Sequence, residues 1–351
     1  LSTKAGSNFG FGLLWALLLI NLIKYPFFQY GPRYAAATGE NLLEGYKKLG
    51  KWALRLYALI TLATMFTIQT AVTIVTAGIA SSLFGSSLSL ELWAVIILSF
   101  CFLILLLGKY NLLDKMMKII IVLLSISTLL AVGIAFNNSS GELPWTQVFP
   151  TSNIEVVFLI AFMGWMPAPL DVSIWHSLWA VEKQKTTDIF NKKLALLDFN
   201  IGYLSTIILG VCFLFLGGLV MYGSGKSFSD SGGEFSLQLI DMYTENLGDW
   251  SFAIIGVAAF TTMLSTTLTT LDASPRAMNK TMELILEKKI KKGYNVWLIL
   301  LILGTVIIFF LFLSGMGSLI KIATILSFLT APFYALMNYI VLCSKHTPKS
   351  W

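Results

Sequence analysis

Apolar runs of about twenty residues recur along the whole chain, and each is long enough to cross a hydrocarbon core about 30 Å thick. The spans fall at about residues 12–36, 52–80, 92–108, 116–136, 155–181, 197–222, 250–273, 295–314 and 318–343. These nine crossings follow a short leading segment, Leu1 to Gly10, that reads as the tail of a further helix. The expectation is a chain whose tenth helix begins upstream of Leu1.

The polar segments between the spans alternate in Lys and Arg. Lys47, Lys48, Lys51 and Arg55 follow the first span, Lys109, Lys115 and Lys118 the third, and Lys183, Lys185, Lys192 and Lys193 the fifth. Arg276, Lys280, Lys288, Lys289, Lys291 and Lys292 follow the seventh, and Lys345 and Lys349 the ninth. The intervening segments hold little beyond Lys4 and Lys226. By the positive-inside rule the basic segments are cytoplasmic, and so is the C-terminus. Ten helices then divide into two sets of five with opposite topology, a common plan of secondary transporters.

Composition agrees with a membrane protein. Hydrophobic residues make up 56% of the 351 and charged residues 12%, where soluble domains carry roughly a quarter charged. The net charge of +6 is an orientation signal and no sign of nucleic-acid binding. Cys101, Cys212 and Cys343 form no C-x-x-C pair, and His176 and His346 are too few for a metal cluster. No H-E-x-x-H, Walker A or G-x-S-x-G motif occurs. An enzyme is not expected, because no nucleophile, base and orienting partner come together.

One span carries its own interruption. In "GWMPAPLD", Gly164 to Asp171, Pro167 and Pro169 each remove a backbone donor and disfavour helical geometry in the residue before. The spacing predicts unwinding at mid-membrane, which exposes carbonyls where only a protein-lined or wet site tolerates them. Asp171 is a ligand candidate, because an acid at that depth costs about 2.5–3.5 kcal/mol on insertion scales. Lys24, in "NLIKYPFF", is a second deep charge, expected to pair with an acid such as Asp171 or Asp198 or to stand as a fixed positive charge.

The chain resembles the NRAMP family of divalent metal transporters. "AGSNFG", "LLWALLLINL", "AAATGENL" and "VTAGIASSLFG" are similar, in this order, to the family's helix 1 end, helix 2, its exit, and the outer end of helix 3. The family's D-P-G-N metal motif would lie just upstream of Leu1. Its helix 6 motif, G-A-T-V-M-P-H, aligns best with "GWMPAP", which puts Trp165 at the metal-binding carbonyl and Ala168 at the metal-binding methionine. A second register keeps the thioether on Met166. The acidic pair of helix 3, part of the family's proton route, falls on Gln69 and Val72; His176 matches a proton-pathway histidine, and Thr330 replaces a helix 10 glutamine.

These departures are similar to the NRAMP-related magnesium transporter branch. The resemblance implies an all-α protein with a LeuT-like fold of inverted five-helix repeats, a single transmembrane domain over residues 1–351 with halves at 1–136 and 155–343. It implies cell-membrane uptake of Mg²⁺, and of Mn²⁺, by alternating access without proton coupling, through Trp165, Ala168, Asp171 and Met166. Loss of the thioether would lift a bias against hard ions and leave room for a hydrated one. The alternatives are a proton-coupled Mn²⁺ or Fe²⁺ transporter, an amino-acid transporter of the same fold, and a membrane enzyme or receptor. No cofactor is implied; the partners are the transported metal and the bilayer, with the oligomeric state open between a monomer and larger assemblies.

Overall fold

The computed structural model describes residues 1–85, 88–107, 110–139, 145–186, 192–225, 228–229, 232–312 and 316–348. Among them are thirteen helices and no strand: α1 (Ser2–Phe9), α2 (Leu14–Thr38), α3 (Leu42–Leu49), α4 (Lys51–Phe84), α5 (Leu90–Leu107), α6 (Tyr110–Asn138), α7 (Asn153–Trp165), α8 (Val172–Thr186), α9 (Lys192–Val220), α10 (Gly232–Leu247), α11 (Ser251–Leu286), α12 (Gly293–Phe312) and α13 (Met316–Cys343). Every expected span is helical, and the interrupted one is two helices. Seven helices among the described residues are long and apolar enough to cross a membrane. Exposed Leu22, Leu59, Leu107, Ile201, Phe310 and Leu311 are side chains a lipid would cover.

Three features differ from the sequence reading. Two loops contain helices, α3 and α10, and α11 runs to Leu286, well beyond residue 273. Helix α3 forms because Asn41 and Glu44 make a capping box: the Asn41 side chain accepts from the Glu44 amide at 3.2 Å, and Glu44 accepts from the Asn41 amide at 2.9 Å. The extension of α11 is held by Asp272, which accepts from Arg276 one turn on at 2.8 Å and from the Tyr294 hydroxyl at 2.7 Å.

Segments that their lysines place on one face do meet. Lys280 of α11 pairs with Glu44 of α3 at 2.8 Å. Lys51, at the start of α4, lies 3.2 Å from Glu287, just past α11; its hydrogen bond and charge, with Lys47 beyond, hold the Glu287 carboxyl below the ordinary range. The side chains of Lys109, Lys115, Lys118, Lys185, Lys192, Lys226 and Lys349 lie outside the described residues.

Two packing regimes divide the core. Helices α4, α5, α11 and α12, with part of α13, enclose an aliphatic cluster that includes Met65, Ile97, Leu268, Leu298 and Phe309. Around the interruption, backbones approach instead. A Cβ at Gly164 of α7 would lie 2.1 Å from the Thr324 carbonyl oxygen of α13, and one at Gly31 of α2 would lie 2.1 Å from the Ser173 carbonyl oxygen of α8. Between α1 and α9, a Cβ at Gly6 would meet the Leu214 carbonyl oxygen at 2.0 Å. Small residues at such crossings are how membrane helices reach backbone contact.

Candidate functional site

Helix α7 ends at Trp165 and α8 begins at Val172. Helix α7 opens outside the core on a second capping box, Ser152 with Glu155. It closes where Met166 adopts extended backbone, φ −95° and ψ 125°, its amide still bonded to the Phe162 carbonyl at 3.1 Å. The Met166–Pro167 peptide is cis. Helix α8 starts afresh as the Ile174 amide bonds to the Asp171 carbonyl at 2.9 Å. Asp171 thus stands at the positive end of a half-helix, a position that favours a carboxylate.

Three of the carbonyls at the interruption do not stand open. Lys24, 3% exposed, reaches across from α2 and donates to the carbonyl oxygens of Met163 at 2.8 Å, Gly164 at 2.9 Å and Ala168 at 3.3 Å. An ammonium has three donors and no acceptor, so all three are used. This corrects the expectation of a carboxylate partner from Asp198, which is exposed and lies 3.7 Å from Lys183. Asp171 is within electrostatic reach of Lys24 but supplies none of these contacts.

A cavity of about 910 Å³ lies among α1, α4, α7, α11 and α13. Its wall includes Ser2, Lys4 and Phe9 of α1, Glu155, Phe158 and Trp165 of α7, Met166, and Lys321 and Thr324 of α13. Met166 turns its thioether toward α1, where the Ser2 hydroxyl donates to the sulfur at 3.5 Å. The Trp165 indole donates to Ser327 of α13 at 3.0 Å. Among the described residues, Ala168 and Asp171 lie off that wall. Met166, on extended backbone, lines the cavity and packs toward α1, whereas Ala168 packs against the cluster of Phe28, Tyr57 and Tyr334.

Below the interruption lies a set of buried polar atoms: Asp171 Oδ1, which has no hydrogen-bond partner, and the hydroxyls of Tyr57 and Tyr334, both close to Thr61 Oγ1. The rings of Tyr57 and Tyr334 are 6.1 Å apart, and both phenols are in electrostatic reach of Asp171. An orphaned buried oxygen such as Asp171 Oδ1 marks space that a water or ion completes. His176 is half-buried, with a buried, unpartnered Nδ1 and its ring against Trp179 and Phe199.

The residues at the expected proton-route positions are neutral and occupied. Gln69 Nε2 donates to Thr73 Oγ1 and to the Thr267 carbonyl, both at 3.3 Å, while its Oε1 accepts from Thr270 at 2.7 Å. Val72 is buried, and its carbonyl accepts from Thr76. Thr330 bonds to carbonyls of its own helix and is not on the cavity wall.

The sequence reading passed over Ser2, Lys321, Thr324 and Ser327, and the tyrosines and threonine beneath Asp171. A usable signal was present: Thr324, Ser327 and Thr330 recur every three residues in an apolar helix, a polar stripe on one face. Among the described residues no group of three or more His, Cys, Asp or Glu side chains could hold a metal.

Comparison with known proteins agrees with this geometry. A family model described as natural resistance-associated macrophage protein-like matches residues 1–351. An uncharacterized protein of Pasteurella multocida is 35% identical over 355 residues, covering 99% of this chain and 82% of its own. Among solved structures, a histidine-to-alanine mutant of the manganese transporter of Eremococcus coleocola superposes with a TM-score of 0.70. It is 14% identical and covers 100% of this chain and 78% of its own; at that distance the likeness shows the fold, a LeuT-like helical bundle.

Proposed function

The chain belongs to the natural resistance-associated macrophage protein-like family, and from that premise we propose that it carries a divalent metal ion through a membrane by alternating access at the α7–α8 interruption. The observation that carries this reading is that the cavity is lined by Trp165 and Met166, where the helical hydrogen bonding of α7 stops, with Thr324 opposite. A broken helix at mid-membrane offers carbonyls and half-helix ends to an ion. Transport would need no enzyme chemistry and no cofactor; the metal is the substrate.

The geometry supports a transition metal, Fe²⁺ or Mn²⁺, best, because Met166 lies on the cavity wall and a soft thioether disfavours Mg²⁺ more than it does these ions. The Trp165 carbonyl and the Ser2 hydroxyl would supply oxygen donors. A second reading, Mg²⁺ with Mn²⁺ also carried, draws on the scarcity of charged ligands among the described residues; such a site suits an ion that keeps most of its water. Under both readings Gln69, held as a neutral amide by three partners, supports transport without protons passing along α4.

The deciding experiment is metal uptake by proteoliposomes with the Met166→Ala variant. The first reading expects Cd²⁺ to inhibit Mn²⁺ uptake by the unaltered protein strongly and at least tenfold less in the variant. The second expects Mg²⁺ uptake that Met166→Ala leaves intact. Absence of any divalent flux from correctly folded protein would remove both.

A further inference from the structure

We infer that the Lys24 ammonium is a built-in monovalent cation, occupying a carbonyl cage in the α7–α8 interruption that would otherwise bind a small cation from solution. Three observations lead there. The cage is made of main-chain oxygens from both sides of the unwound turn, Met163 and Gly164 from α7 and Ala168 beyond the two-proline step. Its nitrogen-to-oxygen distances, 2.8, 2.9 and 3.3 Å, are those of an ammonium hydrogen-bonded to carbonyls. The occupant arrives on a different helix, by a buried stem packed at the centre of α2.

Unwound carbonyls at membrane depth need a positive partner, because each orphan there costs several kcal/mol. In broken-helix transporters that partner is an ion taken from solution, which makes transport depend on that ion. A lysine whose three donors saturate the cage supplies the charge permanently. Transport then needs no monovalent ion for this site. The cage is also distinct from the cavity wall, since neither Lys24 nor Ala168 belongs to it, and the Trp165 carbonyl is not among the oxygens Lys24 engages. Lys24 is therefore a positioning residue, which holds the interruption in shape beside the route.

The inference rests on the transport reading only where flux is measured, so the test has two arms. In the first, the melting temperatures of unaltered protein and Lys24→Ala are followed in detergent with ammonium, methylammonium or potassium, and with tetramethylammonium as an ion too large for the cage. The variant is expected to melt lower and to recover several degrees with a small cation, while the unaltered protein is indifferent. In the second, metal uptake by Lys24→Ala in proteoliposomes is expected to fall at least tenfold in tetramethylammonium and to return severalfold with methylammonium. Lys24→Met, which keeps the stem without the charge, should behave like Lys24→Ala.

A variant that melts and transports as the unaltered protein does, without added cation, overturns the inference. So does one whose losses no small cation repairs, provided it elutes as a single folded species. If it does not, the same result read from cation-dependent melting of Lys24→Met decides. Cation-dependent melting without metal flux in either protein would keep the cage and sink the transport reading.

Discussion

Where α4 crosses α11, polar side chains are matched to one another; where α2 meets the α7–α8 interruption, they are not. At the first crossing Gln69, Thr73, Thr76, Thr267 and Thr270 bond to each other and to main-chain carbonyls, with Thr76 and Thr267 2.7 Å apart. At the second, Asn21 Oδ1, Asp171 Oδ1 and Trp175 Nε1 are buried without partners. Glycines divide in the same way. Gly256 in the first region and Gly304 of α12, packed on the same α4, face the side chains of Leu83 and Phe66; Gly164 and Gly31 in the second face main-chain oxygens, which cannot move aside. A satisfied seam is a fixed frame, while orphan groups and backbone contacts leave room for solvent and allow no slack in helix position.

The sharpest test of that division is a pair of alanines. Gly164→Ala sets a methyl 2.1 Å from the Thr324 carbonyl and is expected to abolish metal uptake, with at least the ~1–3 kcal/mol loss typical of overpacking. Gly304→Ala, whose methyl meets only the edge of the Phe66 ring, should keep most uptake and melt within a few degrees of the unaltered protein. Equal effects in uptake and size-exclusion profile would erase the distinction.

Next in size is Asp171→Ala. If the orphan oxygens are a wet station for the metal, uptake should fall at least tenfold with the melting temperature held, because the carboxylate has an unpartnered oxygen to lose. Unchanged uptake would reduce Asp171 to the N-terminal charge of α8. In the seam, Thr270→Val leaves Gln69 Oε1 without its 2.7 Å donor. Such a loss costs about 1–3 kcal/mol for a buried acceptor and toward the lower end between membrane helices. The melting temperature should drop and the uptake per folded molecule stay constant. The smallest effect belongs to Glu287→Gln, since ion pairs of exposed side chains contribute little: neither melting at neutral pH nor uptake should change, although Lys47 and Lys51 both reach it.

Much of this was legible in the chain because length and hydropathy act locally. Nine spans, the alternating lysines and the two-proline interruption needed no knowledge of neighbours. Partner choice was not legible. Lys24 takes three carbonyls 139 to 144 residues away, and a sequence names charged side chains but not main-chain oxygens that a distant turn sets free. Helices α3 and α10 escaped because they are short and polar enough to read as loops.

The glycine contacts have a mechanical consequence. Helix α7 is pressed onto α13 at Gly164 and Thr324, and α8 onto α2 at Gly31 and Ser173, so the two halves of one crossing are fastened to different helices. A shift of α13 relative to α2 would be taken up in the six residues from Met166 to Asp171, and it would also have to break the Asn338 bonds to Phe27 and Ser173. Lys24, rooted in α2 and gripping the end of α7, is a strap across that turn, and its length would limit how far the turn can open.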